Sequence, residues 1–91
     1  MAEKRNRLKI IYDMLNMIRH HNNSIKPTPL LRYSNLSSQS FSEYLGELTQ
    51  KGFIMEGRDV KNRKVLILTE RGYNYLQKYK IITKFVEDFN L

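Results

Sequence analysis

The sequence predicts a single α+β domain with the element order α-β-α-α-β-β-α, its last helix longer than the domain needs. Three observations carry that expectation. Residues 4–20 repeat apolar groups at helical spacing. The stretch LSSQSFSEYLGELTQKGFIMEGRDVKNRKVLILT, residues 36–69, reads as helix, glycine stop, strand, basic loop, strand and helix cap. The remaining residues form an apolar-striped helix with no chain left to cover it.

Leu8, Ile11, Leu15 and Ile18 make the stripe of the first helix, widened by Ile10, Met14 and Met17. The run His20-His21-Asn22-Asn23 ends it, being polar and turn-prone. Ser24-Ile25-Lys26-Pro27 should be extended, because a residue before proline avoids the α region. Thr28-Pro29 then reads as an N-cap with proline at the first helical position, and the second helix runs from Pro29 to about Tyr33. Asn35-Leu36-Ser37 turns into the third helix with Ser37 as its cap. Phe41, Leu45 and Leu48 form the buried stripe, with Tyr44 at its edge. Lys51 suits the negative end of that helix, and Gly52 is the left-handed stop.

Phe53–Glu56 and Lys64–Leu68 are β-rich and flank residues 57–63, a hairpin with a flexible tip. Thr69 caps the last helix, Glu70 to about Asn90, in which Tyr73 and Leu76 are expected to close the core. Beyond them Tyr75, Tyr79, Ile82, Val86 and Phe89 follow a heptad seam, with Ile81 and Phe85 alongside. A helix of about 21 residues is ~31 Å long, which outruns a domain this small. The chain therefore divides into a domain over residues 1–76 and an extension over residues 77–91.

Ninety-one residues supply one modest core. Sixteen Lys and Arg against nine Asp and Glu leave a formal net charge of +7, and the pI is near 9.8. The excess sits at Lys4, Arg5, Arg7 and Lys9 and again at Arg58, Lys61, Arg63 and Lys64. Such a balance favours a polyanionic partner, most often nucleic acid. The chain has no cysteine, which excludes disulfides and zinc fingers. The opening MAEKRNRLK lacks the apolar core of a signal peptide, and no run approaches the ~18 apolar residues of a membrane span. The expectation is a soluble, cytoplasmic protein with no membrane partner.

The motifs Tyr33-Ser34-Asn35-Leu36-Ser37, Tyr44-Leu45, Leu48, Lys51-Gly52-Phe53-Ile54 and Leu68-Thr69-Glu70-Arg71-Gly72-Tyr73 resemble those of small archaeal winged-helix proteins. That group includes predicted transcriptional regulators and ten-kilodalton chromatin-associated DNA-binding proteins. The resemblance covers about residues 8–90. It implies a winged helix-turn-helix domain that binds double-stranded DNA, associated with the nucleoid. It also implies a homodimer, made by pairing the last helix with its twin as an antiparallel coiled coil. Tyr75, Tyr79, Ile82, Phe85, Val86 and Phe89 are the candidate interface.

For DNA, the third helix offers Ser37, Ser38, Gln39 and Ser42 near its N-terminal end, where a helix in a major groove meets base edges. Its exposed face has no arginine, while Glu43 and Glu47 would repel phosphate, so discrimination should be modest. Arg58, Lys61, Arg63 and Lys64 suit phosphate contact or insertion of arginine into a minor groove, and Asn62 could add a hydrogen bond. Arg5 and Arg7 could reach the backbone from the first helix. Two other readings stay open: a winged-helix module used only for protein–protein contact, and RNA binding, for which no aromatic platform is visible. His20 and His21 point about 100° apart on a helix with no third ligand in view, so no metal site is expected. No nucleophile–base pair, carboxylate dyad or phosphate-binding glycine loop appears, so neither an enzyme, a cofactor nor a small-molecule ligand is expected.

Overall fold

The computed structural model describes residues 6–91. Helix α1 spans Arg7–His20, strand β1 Ser24–Ile25, α2 Pro27–Ser34 and α3 Ser38–Gln50. Strands β2, Ile54–Arg58, and β3, Lys64–Leu68, lead into α4, Glu70–Asp88. The sheet is antiparallel in the order β1-β3-β2, with Ile25 opposite Leu66 and Ile54 opposite Leu68.

Helix α1 is the centre of the core. Its Ile11, Met14, Leu15 and Ile18 meet Ile25, Leu30, Phe41, Leu48, Ile54, Leu66, Leu68 and Leu76, one or two from every other element. Leu8, placed in the same stripe by its spacing, is half exposed. Asn22 and Asn23 take left-handed conformations that asparagine tolerates, and β1 follows at once.

Helix α2 starts two residues earlier than its proline pattern suggests. Pro27 is its first residue and Lys26 the extended N-cap, without a side-chain bond; Thr28 is inside the helix. Both prolines lie in the first turn, where a missing N–H leaves nothing unsatisfied. Helix α3 begins as expected, with the Ser40 N–H donating to Ser37 Oγ at 3.1 Å. It ends at Gly52, whose φ of 76° is left-handed.

Strand β2 continues through Gly57 and Arg58, which pair with Val65 and Lys64. The hairpin loop therefore shrinks to residues 59–63. At the other end of the hairpin, Thr69 caps α4 by accepting from the Gly72 N–H at 3.1 Å. Tyr73 does not close the core. Leu76 is buried, and the residue one turn before it, on the same face, is Gly72; Tyr73 lies about 100° round the helix, with the Arg19 guanidinium 4.6 Å over its ring.

Gly72 is buried because a side chain there would collide with the Phe53 carbonyl oxygen and come within 2.7 Å of Leu68 Cδ1. Gly46, on α3, has nothing within 4 Å of the equivalent position. Gly72→Ala should lower unfolding stability by roughly 1–3 kcal/mol, since backbone must move to relieve the overlap. Gly46→Ala should instead raise it by about 0.5–1 kcal/mol through helix propensity. Urea midpoints of the two variants check this: equal shifts of the same sign would refute the packing argument.

Candidate nucleic-acid interface

Two elements meet at one surface. Ser38, Gln39, Ser42 and Glu43 are exposed along α3 after the Ser37 cap. Beside them the sheet leaves a groove of about 460 Å³, lined by Ser42, Leu45, Gly46, Thr49, Gln50, Glu56 and Leu66. The groove separates the exposed helix face from the base of the hairpin, so both can meet one elongated partner.

The acidic residues of α3 differ in their surroundings. Glu47 is partly buried and pairs with Arg7 of α1 and with Lys51 Nζ at 3.4 Å. Its charge is compensated within the protein, and Arg7 is committed to it. Glu43 is exposed, with no ion-pair partner among the described residues. Arg5 lies outside the described residues.

The hairpin tip is not a loose loop. Asp59 Oδ1 accepts from the backbone N–H groups of Lys61 at 2.9 Å and Arg63 at 2.8 Å, while Oδ2 accepts from Arg63 Nε at 3.0 Å. The Asp59 N–H donates to the Arg63 carbonyl, and the Asn62 N–H donates to the Asp59 carbonyl, both at 2.9 Å. Asn62 takes a φ of 62°, which an asparagine accepts readily. The flexible tip expected from composition is thus a hydrogen-bonded turn built on one aspartate. An aspartate opening a short loop is the sequence signal for it.

The same bonds sort the basic residues. Arg63 shares its charge with Asp59, and Lys64 Nζ lies 2.9 Å from Glu56 Oε1. Arg58 and Lys61 are exposed and have no ion pair among the described residues. Val60, at the apex of the turn, is fully exposed. No charge or periodicity rule draws attention to a lone valine.

The tail of α4 forms a second surface. Ile82 is 54% exposed, Phe85 54%, Val86 40% and Phe89 65%. Tyr75 and Tyr79, placed by spacing in the same seam, turn to α1 instead. The Tyr75 hydroxyl donates to the Leu8 carbonyl at 2.7 Å, and burial pushes its pKa up to about 12. The Tyr79 ring stacks on Tyr12 at 4.5 Å. The seam therefore splits into a bracing part and a bare part.

A family model described as winged helix-turn-helix matches residues 4–87. The chain belongs to that family. Among solved structures, Sso10a-2, a DNA-binding protein from Sulfolobus solfataricus, superposes with a TM-score of 0.75 at 20% identity. The match covers 94% of this chain and 86% of that one. F93 from STIV, a winged-helix DNA-binding protein, gives 0.73 at 18% identity over 89% of this chain and 92% of its own. MepR, a transcription regulator of the Staphylococcus aureus multidrug efflux pump MepA, gives 0.75 at 18% identity, and the match spans 88% of this chain and 60% of MepR. At these identities the likeness is one of fold. No curated protein matches the chain.

In winged-helix terms α3 is the recognition helix and β2–β3 is the wing. No helix among the described residues is long and apolar enough to cross a membrane. Nor do the described residues hold a group of three metal-ligating side chains.

The wing turn has a defined pH dependence. The backbone N–H of Arg63, then that of Lys61 and the Arg63 guanidinium, hold the Asp59 carboxyl below its ordinary value of 3.8. A depressed carboxyl stabilises the turn fully above that ordinary value, and the contribution fades as pH falls through the lower folded one. The Lys61 and Arg63 amide resonances should stay constant from neutral pH down to about 5 and shift together below ~4. A titration midpoint above the ordinary aspartate value would contradict the bonding described.

Proposed function

We propose that this winged-helix protein binds double-stranded DNA as a homodimer and acts as a transcriptional regulator or chromatin architectural protein. The observation that carries the reading is the pairing of an exposed polar helix start with a basic wing across one groove. A helix of this kind fits a major groove while the wing meets neighbouring backbone. Sso10a-2 and F93, both described as DNA-binding, share the fold and support the assignment. The role is one of binding, with no catalytic step.

Within the interface, Ser38, Gln39 and Ser42 face the bases, with Gln39 suited to adenine through its amide. Arg58 and Lys61 are the leading phosphate contacts, because neither makes an ion pair among the described residues. Arg63 and Lys64 join when phosphate displaces their carboxylate partners, an exchange that costs little for exposed ion pairs. The helix tail, residues 77–91, supplies the dimer contact through Ile82, Phe85, Val86 and Phe89. Tyr75 and Tyr79 hold that tail in direction rather than meeting the partner.

Two measurements test these assignments. Replacing Arg58 and Lys61 with alanine should flatten the log–log salt dependence of binding by about 2 per chain, at about 0.9 per phosphate lost. An unchanged slope would remove the wing from the phosphate contacts. In analytical ultracentrifugation the protein should sediment as a dimer at tens of micromolar. Ile82→Glu with Val86→Glu should give a folded monomer whose DNA affinity falls by about 100-fold or more, since two-site binding is lost. A monomeric wild-type protein at that concentration would end the dimer reading while leaving DNA binding by single domains intact.

A further inference from the structure

A groove at the root of the α4 tail joins apolar walls to a ridge of donors. It encloses about 370 Å³ between the first turn of α1, the residue before β2 and one face of α4. Leu8, Phe53, Tyr75, Tyr79 and Ile82 form the walls. Leu8 is 48% exposed and Ile82 54%, so the walls leave apolar surface open to water. The Tyr75 hydroxyl is spent on the Leu8 carbonyl, which leaves that ring as a wall rather than a donor.

The donors come from α4 alone. Arg71, Asn74 and Lys78 follow one another at spacings of three and four, so they share one face of the helix beside the ridge of Tyr75, Tyr79 and Ile82. All three are exposed. Arg71 and Lys78 stand two turns apart, roughly 10 Å along the axis, a gap their long side chains can close around a single group. Neither makes an ion pair among the described residues, whereas Arg7, Lys9, Lys51, Arg63, Lys64 and Lys84 each have a carboxylate within reach. No residue lining the groove is acidic. Arg71 instead lies 5.4 Å over the Phe53 ring, which holds its planar fork against the wall.

An arginine, a lysine and an amide beside an apolar trough select an anion with an apolar body. A cavity of this size, mostly apolar with a few polar groups to orient its occupant, suits a small molecule. The planar guanidinium matches a carboxylate bidentately, and such charge-assisted bonds are roughly twice as strong as neutral ones. An organic cation would meet two like charges and no acid. A bare inorganic anion would leave the walls in water.

We infer that this groove is a binding site for a small organic carboxylate, its head held by Arg71, Asn74 and Lys78 and its apolar body laid over Tyr75, Tyr79 and Ile82. The site is separate from α3 and the wing, and its occupancy does not depend on the DNA-binding reading. No motif marks it in the sequence, because its residues come from positions 8, 53 and 71–82 and converge only in the fold.

Octanoate and octylamine carry the same chain with opposite charges at neutral pH, so comparing them isolates the head group. Each is titrated into the full chain, with backbone amide resonances recording both affinity and place. The expected result is saturable binding of octanoate, about tenfold tighter or more than octylamine, with the largest shifts at Phe53 and residues 71–82. The variants K78E and R71Q/K78Q should each weaken octanoate by about tenfold or more while sedimenting as the parent protein does. K78E leaves the Arg71–Phe53 contact in place, so its loss of binding cannot come from a disturbed fold there. Equal affinity for the two chains would overturn the site, since apolar burial alone would account for it. So would no binding of octanoate, or shifts confined to Phe85, Val86 and Phe89, where it would only be coating the bare tail. A change of oligomeric state in K78E would overturn it as well, because a second copy of the chain would then be the occupant.

Discussion

Two adjacent backbone carbonyls, those of Gly52 and Phe53, fix the recognition helix, the wing and the tail helix relative to one another. The Thr69 hydroxyl donates to the Gly52 carbonyl at 2.6 Å while accepting from the Gly72 N–H. The Thr69 N–H donates to the Phe53 carbonyl at 3.1 Å, and Gly72 has no Cβ to obstruct that same oxygen. The Phe53 N–H in turn donates to Leu48 on α3 at 2.9 Å. One knot of hydrogen bonds thus joins the end of α3, the start of β2, the end of β3 and the start of α4. The motifs Lys51-Gly52-Phe53-Ile54 and Leu68-Thr69-Glu70-Arg71-Gly72 belong together for this reason. Each supplies half of the knot, and the Arg71 guanidinium, 5.4 Å over the Phe53 ring, covers it.

Electrostatics at the candidate interface are set by pairing more than by total charge. The formal +7 of the chain already counts its carboxylates but does not say which cations stand alone: Arg7, Arg63 and Lys64 each face a carboxylate. The pairs have different consequences. The Arg7–Glu47 pair removes a negative charge from the recognition helix and ties α1 to α3. The Arg63–Asp59 pair closes the turn that shapes the wing. The Lys64–Glu56 pair lies between neighbouring strands at the wing's base, and the lysine there lowers the Glu56 pKa. The Arg63–Asp59 and Lys64–Glu56 pairs lie at the surface, where ion pairing is weak, so a dense phosphate array can compete for those cations. The turn does not depend on the Arg63 side chain alone, since the backbone N–H groups of Lys61 and Arg63 also hold Asp59.

The elements themselves were legible in the sequence, because caps and stripes are local chemistry. Ser37, Gly52 and Thr69 do what their residue types suggest. The family resemblance read from the same motifs agrees with the match over residues 4–87. Errors arose where two signals competed. Pro27 and Pro29 both qualify as a helix start, and only the fold favours the earlier. Tyr73 is large and apolar at one end, yet the neighbouring glycine is buried, because the closest approach of α4 to Phe53 leaves no room for a side chain. The candidate site was less legible still. Charge composition marks Arg58, Lys61, Arg63 and Lys64 alike, whereas their separation into shared and unshared cations depends on strand register and on the Asp59 turn. Tyr75 and Tyr79 follow the heptad spacing of the tail, and their contacts with α1 are a second role that spacing does not show.

Those contacts govern how the tail could work. Helix α4 is continuous from the buried Leu76 to the bare apolar groups at Ile82 and beyond, with no proline or glycine between them to bend it. The Tyr75–Leu8 hydrogen bond and the Tyr79–Tyr12 stack brace its middle against α1, so the tail leaves the domain in one direction. A partner seated on Ile82, Phe85, Val86 and Phe89 would therefore stand at a fixed orientation to α3 and the wing. For a dimer this rigidity has two opposing effects. Where the spacing of two DNA sites matches the span between domains, the second contact forms at high effective concentration; where it does not, a stiff brace cannot adapt and the gain vanishes. In the proposed dimer, tyrosines that brace the tail would thus help decide which site spacings a paired molecule can bridge.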